Sequence, residues 1–156
     1  LIQFAKLNFQ CYGIDFSENM LKNAQILANK NKVKINLKLV DITEIPYQNN
    51  VLNYCLHLAS LHHLNRKEKQ LKALQEIYRI LKPDGLVLLT VWNKWQLRFI
   101  LKPKDIYVTW KIKNSTYHRY YHLFNYFELK NLIRKTKFNI IESKLFGKNL
   151  VFIIKK

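Results

Sequence analysis

Apolar positions along this chain follow two alternating rhythms, short strand-like runs and longer helical stripes. Residues 9–15 read as a strand. Ser17 is placed to cap a following helix on which Met20, Leu21, Ala24, Leu27 and Ala28 share one face. A turn over residues 29–32 ends that helix, and Ile35, Leu37 and Leu39 alternate as a second strand. Residues 51–59 make a third, apolar enough for burial on both faces. Asn65, with Glu68 three residues on, predicts the start of a helix that turns Leu71, Leu74, Tyr78 and Leu81 toward the sheet. Lys82-Pro83-Asp84-Gly85 stops it in a tight reversal, and residues 86–92 return as a central strand. Beyond a less regular stretch rich in Trp and Lys, residues 117–124 read as extended. Asn125 with Glu128 caps a last helix around Leu129, Leu132 and Ile133. Two final strands flank Phe146-Gly147-Lys148, and so short a connection makes them antiparallel. The alternation predicts an α/β fold with parallel strands joined by crossover helices, in a single domain over residues 1–156.

Size and composition agree with one hydrophobic core: 156 residues, 49% hydrophobic. The apolar run at 86–92 is far short of the roughly 20 residues that cross a bilayer as a helix, and the N-terminus lacks a charged-then-apolar signal layout. The expectation is a cytoplasmic protein without a membrane partner. Cys11 and Cys55 lie in apolar segments and form no Cys-x-x-Cys pair, so they read as buried free thiols. Charge adds more. Twenty-seven Lys and Arg against ten Asp and Glu leave +17, enough to attract a polyanion with strong salt dependence. Nucleic acid is the first partner to consider; lysines scattered over a solvated surface are the alternative.

The element order resembles the class I S-adenosylmethionine-dependent methyltransferase fold, a Rossmann-like sheet, from its second strand to its antiparallel C-terminal pair. Tyr12-Gly13-Ile14-Asp15-Phe16-Ser17 resembles the family's second motif. The resemblance implies that Asp15 accepts both ribose hydroxyls of the cofactor S-adenosyl-L-methionine, with Phe16 in the same binding set. Val40-Asp41-Ile42 with Ile45-Pro46 resembles the third motif, where Asp41 would accept from the adenine amino group and Ile42 pack on the ring. An aspartate at a strand end is otherwise a common turn residue. Ala59-Ser60-Leu61-His62-His63-Leu64 resembles the segment after the fourth strand, which adds Ala59 to the cofactor set and leaves His62 and His63 structural or close to the cofactor. Asn53 stands where the family usually has Asp. The family's first strand and its acidic-x-Gly-x-Gly-x-Gly loop have no counterpart, and residues 1–8 resemble the end of the helix that follows them. The expectation is an N-terminally truncated gene product with two strand edges unpaired, a split enzyme or a decayed copy being the alternatives.

Asp105-Ile106-Tyr107-Val108-Thr109-Trp110, followed after a basic loop by Arg119-Tyr120-Tyr121-His122-Leu123-Phe124, resembles the insertion of tRNA wobble-uridine carboxymethyl methyltransferases. That implies esterification of the carboxylate of 5-carboxymethyluridine in tRNA, and a small zinc-ribbon activator protein as partner. An ionised carboxylate attacking a sulfonium methyl needs no general base, so orientation and partial dehydration supply most of the catalysis. Arg119 would orient the carboxylate, and His122 would bond one of its oxygens or a neighbouring phosphate. Trp110, Tyr120 and Tyr121 would stack on an everted base. Strand alternation sends Arg119 and Tyr121 one way and Tyr120 and His122 the other, so all four line one pocket only in an irregular strand. Aromatics that simply pack a strand against the last helix would show the same pattern. His118 and His122 have no carboxylate or thiol at ligand spacing, and no metal is expected. A small-molecule methyltransferase and a non-enzymatic RNA-binding remnant are the other functional readings.

Overall fold

The structure, a computed structural model, describes residues 1–112 and 115–156. Lys113 of the basic loop lies outside the described residues. The chain divides into two compact units, Leu1–Pro46 and Tyr47–Lys156.

The first unit holds α1 (Ile2–Lys6), β1 (Tyr12–Asp15), α2 (Glu18–Lys30) and β2 (Asn36–Leu39). β1 and β2 pair in parallel from Tyr12↔Asn36 to Asp15↔Leu39, with α2 as the crossover that a parallel pair requires. Ser17 caps α2 as its sequence position predicts: its backbone is extended and its hydroxyl accepts the Met20 N–H at 3.4 Å. The inward stripe of α2 is narrower than the hydrophobic pattern. Leu21 and Ala24 are half-buried and Ala28 fully buried, whereas Met20 and Leu27 flank that stripe and are more than half exposed.

The second unit is built on a four-stranded sheet of order β3-β4-β8-β7, with β3 (Leu52–Leu58), β4 (Leu81–Trp92), β7 (Asn139–Lys144) and β8 (Asn149–Lys155). β3 and β4 are parallel; β8 runs antiparallel to both of its neighbours, as the short connection through Gly147 demands. Val87, Leu89 and Val91 of β4 and Leu150, Phe152 and Ile154 of β8 alternate onto one face and are fully buried. Helices α3 (Lys67–Ile80) and α4 (Tyr126–Arg134) bury Leu74, Ile77, Leu129, Leu132 and Ile133, and Tyr126 stacks on Phe152 at 5.4 Å. Each such aliphatic side chain contributes about 1.5–3 kcal/mol on burial. Asn125 caps α4, its Oδ1 accepting the Glu128 N–H at 2.9 Å.

Three sequence expectations change here. α3 starts at Lys67 with Arg66 at the N-cap and no side-chain cap, not at Asn65; buried Gln70 instead donates to the Leu64 carbonyl at 2.9 Å and ties down the chain before the helix. The inward face of α3 is Ala73, Leu74, Ile77 and Ile80, while Leu71 and Tyr78 are half-buried at its margin. Asp105–Ile112, read as irregular, is a strand (β5) that pairs antiparallel with β6 (Ser115–His122) from Asp105↔His122 to Ile112↔Ser115, as a separate two-stranded sheet. Among the described residues no helix is long and apolar enough to cross a membrane.

Lys82-Pro83-Asp84-Gly85 does reverse the chain, but inside β4: between the pairs Leu52↔Leu81 and Tyr54↔Leu86 the β4 side carries the extra residues of a bulge. Asp84 sits there at φ +65°, and a Cβ on Gly85 would lie 2.8 Å from the Lys82 carbonyl oxygen. Gly85→Ala should therefore force a backbone shift and cost about 1–3 kcal/mol, read as a lower urea midpoint; an unchanged midpoint would show that the bulge yields freely.

Candidate active site

In α/β sheets with parallel strands, ligands bind outside the carboxyl ends of those strands. In the first unit Asp15 ends β1, half-buried, and its Oδ1 accepts the Ser17 N–H at 2.8 Å. Asp41 follows β2, and its Oδ1 accepts both the N–H and the hydroxyl of Thr43 at 2.9 Å. Both aspartates thus shape their own turns. A carboxylate has about four acceptor positions, so the Asp15 turn bond leaves capacity for a second donor, which suits a sugar hydroxyl. Phe16 beside it is 69% exposed, and Ile42 is half-buried.

In the second unit β3 ends at Leu58, and Ala59 takes a left-handed backbone at φ +53° while its N–H donates to the Thr90 carbonyl at 2.9 Å. A non-glycine residue held so costs on the order of 1–3 kcal/mol, which the surrounding structure must offset. The bend leads into a short 3-10 turn, Leu61–His63, that sets His62 against Trp92 at the end of β4 and His63 against Tyr121. His62 is buried; its Nδ1 accepts the Trp92 N–H at 3.2 Å, so a neutral ring carries its proton on Nε2. Burial first, then the charges of His63, His57 and Arg119, push His62 down to about 3. Burial alone takes His57 to about 4; its Nδ1 is 3.0 Å from Ser60 Oγ, and its buried Nε2 has no partner among the described residues.

The hairpin closes on this turn with one face. Tyr121, 3% exposed, stacks on Trp92 at 4.2 Å and 10°, with the His63 ring 4.5 Å away at a steep angle and His62 at 5.2 Å. Trp92 in turn stacks on Phe99 at 5.5 Å, under the Arg98 guanidinium. His63 Nδ1 donates to the Tyr120 carbonyl at 3.0 Å. Arg119, two residues from Tyr121 and on the same face, is exposed and makes no ion pair among the described residues.

The opposite face is clamped by carboxylates. His122 donates from Nδ1 to Asp105 Oδ1 at 2.8 Å and from Nε2 to Glu128 Oε1 at 3.2 Å, while Lys104 Nζ lies 3.0 Å from Glu128 Oε2. The Tyr120 hydroxyl also donates to Asp105. Burial opposes protonation of His122, but its bonds to Glu128 and Asp105 outweigh burial and hold it above its ordinary value. The regular strand therefore splits the four expected residues as alternation requires. Arg119 and Tyr121 meet the His62 turn; Tyr120 and His122 face the clamp. Both His122 nitrogens are taken, and the Tyr121 face that a nucleobase would use is covered by Trp92. Trp110 remains 47% exposed. Asp105, Lys104 and Glu128 escaped the sequence reading, although Asp105 opposite His122 follows once the two strands are paired.

A protein family described as methyltransferase domain matches residues 1–89 of the chain. The chain belongs to that methyltransferase family. Among relatives of this methyltransferase, a tRNA (carboxymethyluridine(34)-5-O)-methyltransferase of Schizosaccharomyces pombe is 28% identical over 90% of the chain and 70% of its own length. One of Arabidopsis thaliana is 32% identical over 58% of the chain and 21% of its own length. A solved S-adenosylmethionine-dependent methyltransferase from Methanosarcina mazei superposes with a TM-score of 0.83 at 18% identity, covering 99% of the chain and 85% of that structure. A 1,6-didemethyltoxoflavin-N1-methyltransferase from Burkholderia thailandensis, solved with bound 1,6-didemethyltoxoflavin and S-adenosylhomocysteine, has a TM-score of 0.72 at 18% identity over 99% of the chain and 64% of its own. The fold is that of the class I methyltransferases.

The two histidine environments have opposite pH signatures. His62 folds neutral and binds a proton when unfolded, so its stability contribution is full above about pH 6.5 and is lost as pH falls toward the folded value. His62→Asn, which keeps an acceptor for the Trp92 N–H, should reduce the acid-side slope of unfolding free energy by up to about 1.4 kcal/mol per pH unit; an unaltered slope would place the proton uptake elsewhere. His122 is raised, so its contribution is full below about pH 6.5 and is lost as pH climbs through the raised value. Urea midpoints should fall on that alkaline side for the wild type and stay level for His122→Asn.

Proposed function

We propose that this methyltransferase esterifies the carboxylate of 5-carboxymethyluridine at the wobble position of tRNA, acting as one methyltransferase domain over residues 1–156. The observation that carries this reading is Arg119: an exposed guanidinium with no carboxylate partner among the described residues, on the hairpin face that closes on a floor of neutral histidine and aromatic rings. The names of the Schizosaccharomyces pombe and Arabidopsis thaliana relatives support the substrate, and the +17 charge supports an RNA partner.

S-adenosyl-L-methionine is the cofactor and supplies a methyl group made electrophilic by its sulfonium. Asp15 accepts ribose hydroxyls with the capacity its turn bond leaves, and Asp41 and Ile42 attend the adenine. Phe16 at the end of β1 and, in the second unit, Ala59 at the end of β3 are the other residues that the family resemblance assigns to the cofactor. With the cofactor bound, attack of the substrate carboxylate on that methyl would form a C–O bond as the S–C bond breaks, cancelling both charges, so that no residue of the chain would need to move a proton. Arg119 orients that carboxylate through one edge of its planar fork, which leaves the attacking oxygen uncovered. Neutral His62 and the aromatic floor under it exclude water without adding a second cation that would blunt the nucleophile. His122 and Tyr120 act as positioning residues: they lock the far face of β6 to Asp105 and Glu128 and so set the direction of Arg119. A small zinc-ribbon activator protein as partner and a cytoplasmic location belong to the same reading.

Arg119→Ala should lower kcat/KM for methyl-ester formation on carboxymethylated tRNA by about 100-fold, with Arg119→Lys recovering part of it. Mass spectrometry of the digested tRNA reads the ester; equal turnover by Arg119→Ala and wild type would sink the assignment.

A further inference from the structure

The base of the β5–β6 hairpin is tied down on both faces, by the Trp92–Tyr121 stack and by the His122 clamp. Among the described residues its outer half is not. Tyr107 is 71%, Tyr117 55% and Trp110 47% exposed, Thr109, Lys111, Thr116 and His118 are exposed beside them, and Val108 is half-buried. A two-stranded ribbon is marginal by itself, and exposed rings on it burden folding, so their placement calls for an occupant. Register supplies the arrangement. Trp110 and Tyr117 are direct cross-strand partners, and Val108 and Arg119 are the next pair but one toward the base on the same face, followed by Ile106 and Tyr121. That face thus runs outward from the buried Tyr121 through the free cation of Arg119 to an exposed aromatic pair. Two residues of strand separate each step, ~7 Å. Lys111 adjoins the pair, and the chain as a whole carries +17.

We propose that Trp110 and Tyr117 form a stacking platform for a nucleobase of single-stranded RNA, the neighbour of the nucleotide whose carboxylate Arg119 holds. This rests on the tRNA reading above and extends it to a second nucleotide and to Tyr117. Two exposed aromatic side chains that leave one face of a strand pair as direct partners offer ring surface to any base with an accessible π-face. Bases inside a duplex have no such face, whereas those of a loop can be splayed onto aromatic side chains, so the platform selects unpaired RNA. The nearby cations take phosphates and add affinity without sequence preference.

Fluorescence anisotropy of the full-length protein with a fluorescein-labelled anticodon stem-loop, and with a fully paired duplex of the same strand length, tests this across a salt series. W110A/Y117A should weaken stem-loop binding roughly 5- to 150-fold while leaving the slope of log K against log salt and the duplex affinity unchanged. W110F/Y117F, which keeps both rings, should bind as wild type and guards against misfolding as the cause. Stem-loop binding by W110A/Y117A equal to wild type, or an equal loss on stem-loop and duplex, overturns the platform and leaves the tRNA reading standing. Absence of salt-dependent stem-loop binding by the wild type overturns both.

Discussion

The stack of Trp92 on Tyr121 is the contact on which the second unit's chemistry depends. Trp92 is the last residue of β4, Tyr121 sits near the end of β6, and His62 lies against both rings while accepting the Trp92 N–H. A strand of the main sheet, a turn and a hairpin that shares no strand with that sheet are thereby joined at one point. Near-parallel rings at this spacing contribute about 0.5–1.5 kcal/mol beyond the area they bury. The geometric effect is larger than the energy. With Tyr121 pinned, the side chain two residues away must leave the same face, and Arg119 is directed at the His62 turn.

The two faces of β6 are kept in opposite electrostatic states. Toward the turn, burial and the Arg119 charge hold His62 neutral, so the guanidinium is the cation there. Toward α4, burial opposes the charge of His122 but its bonds to Glu128 and Asp105 prevail and raise it above its ordinary value, and Lys104 pairs with Glu128. Segregation of this kind leaves Arg119 without an ion pair among the described residues, the state in which a guanidinium can bind a carboxylate brought from outside. Had Asp105 or Glu128 stood on the other face, either would have taken that role. The strained bend at Ala59 serves the same end, since it turns the chain from β3 into the His62–His63 turn within one residue.

Much of this was readable from residue order. The caps at Ser17 and Asn125 form as their sequence positions predict, because a cap depends on atoms three residues apart. The antiparallel final pair follows from a short connection, and the split of Arg119 from His122 follows from the two-residue period of a strand. The misses have a common cause. Asn65 does not cap α3, which starts after Arg66 without a side-chain cap while Gln70 holds the preceding chain through the Leu64 carbonyl, and α3 presents Ala73 and Ile77 inward with the larger Leu71 and Tyr78 at its margin.

The hairpin shows where the boundary lies. Ile106, Val108 and Trp110 share one face of β5, yet the stretch reads as irregular in the sequence, because its partner and register come from pairing with β6, which local pattern does not contain. By itself, then, the sequence determined the order of strands and helices, the methyltransferase motifs, the strong positive charge and which neighbours share a face. The tertiary structure decided which face is covered and by what: that Tyr121 is floor rather than platform, that His122 is clamped, and that Arg119 stands free. Periodicity sets side-chain direction relative to the next residue, whereas burial, pKa and hydrogen-bond capacity depend on groups brought close from distant parts of the chain.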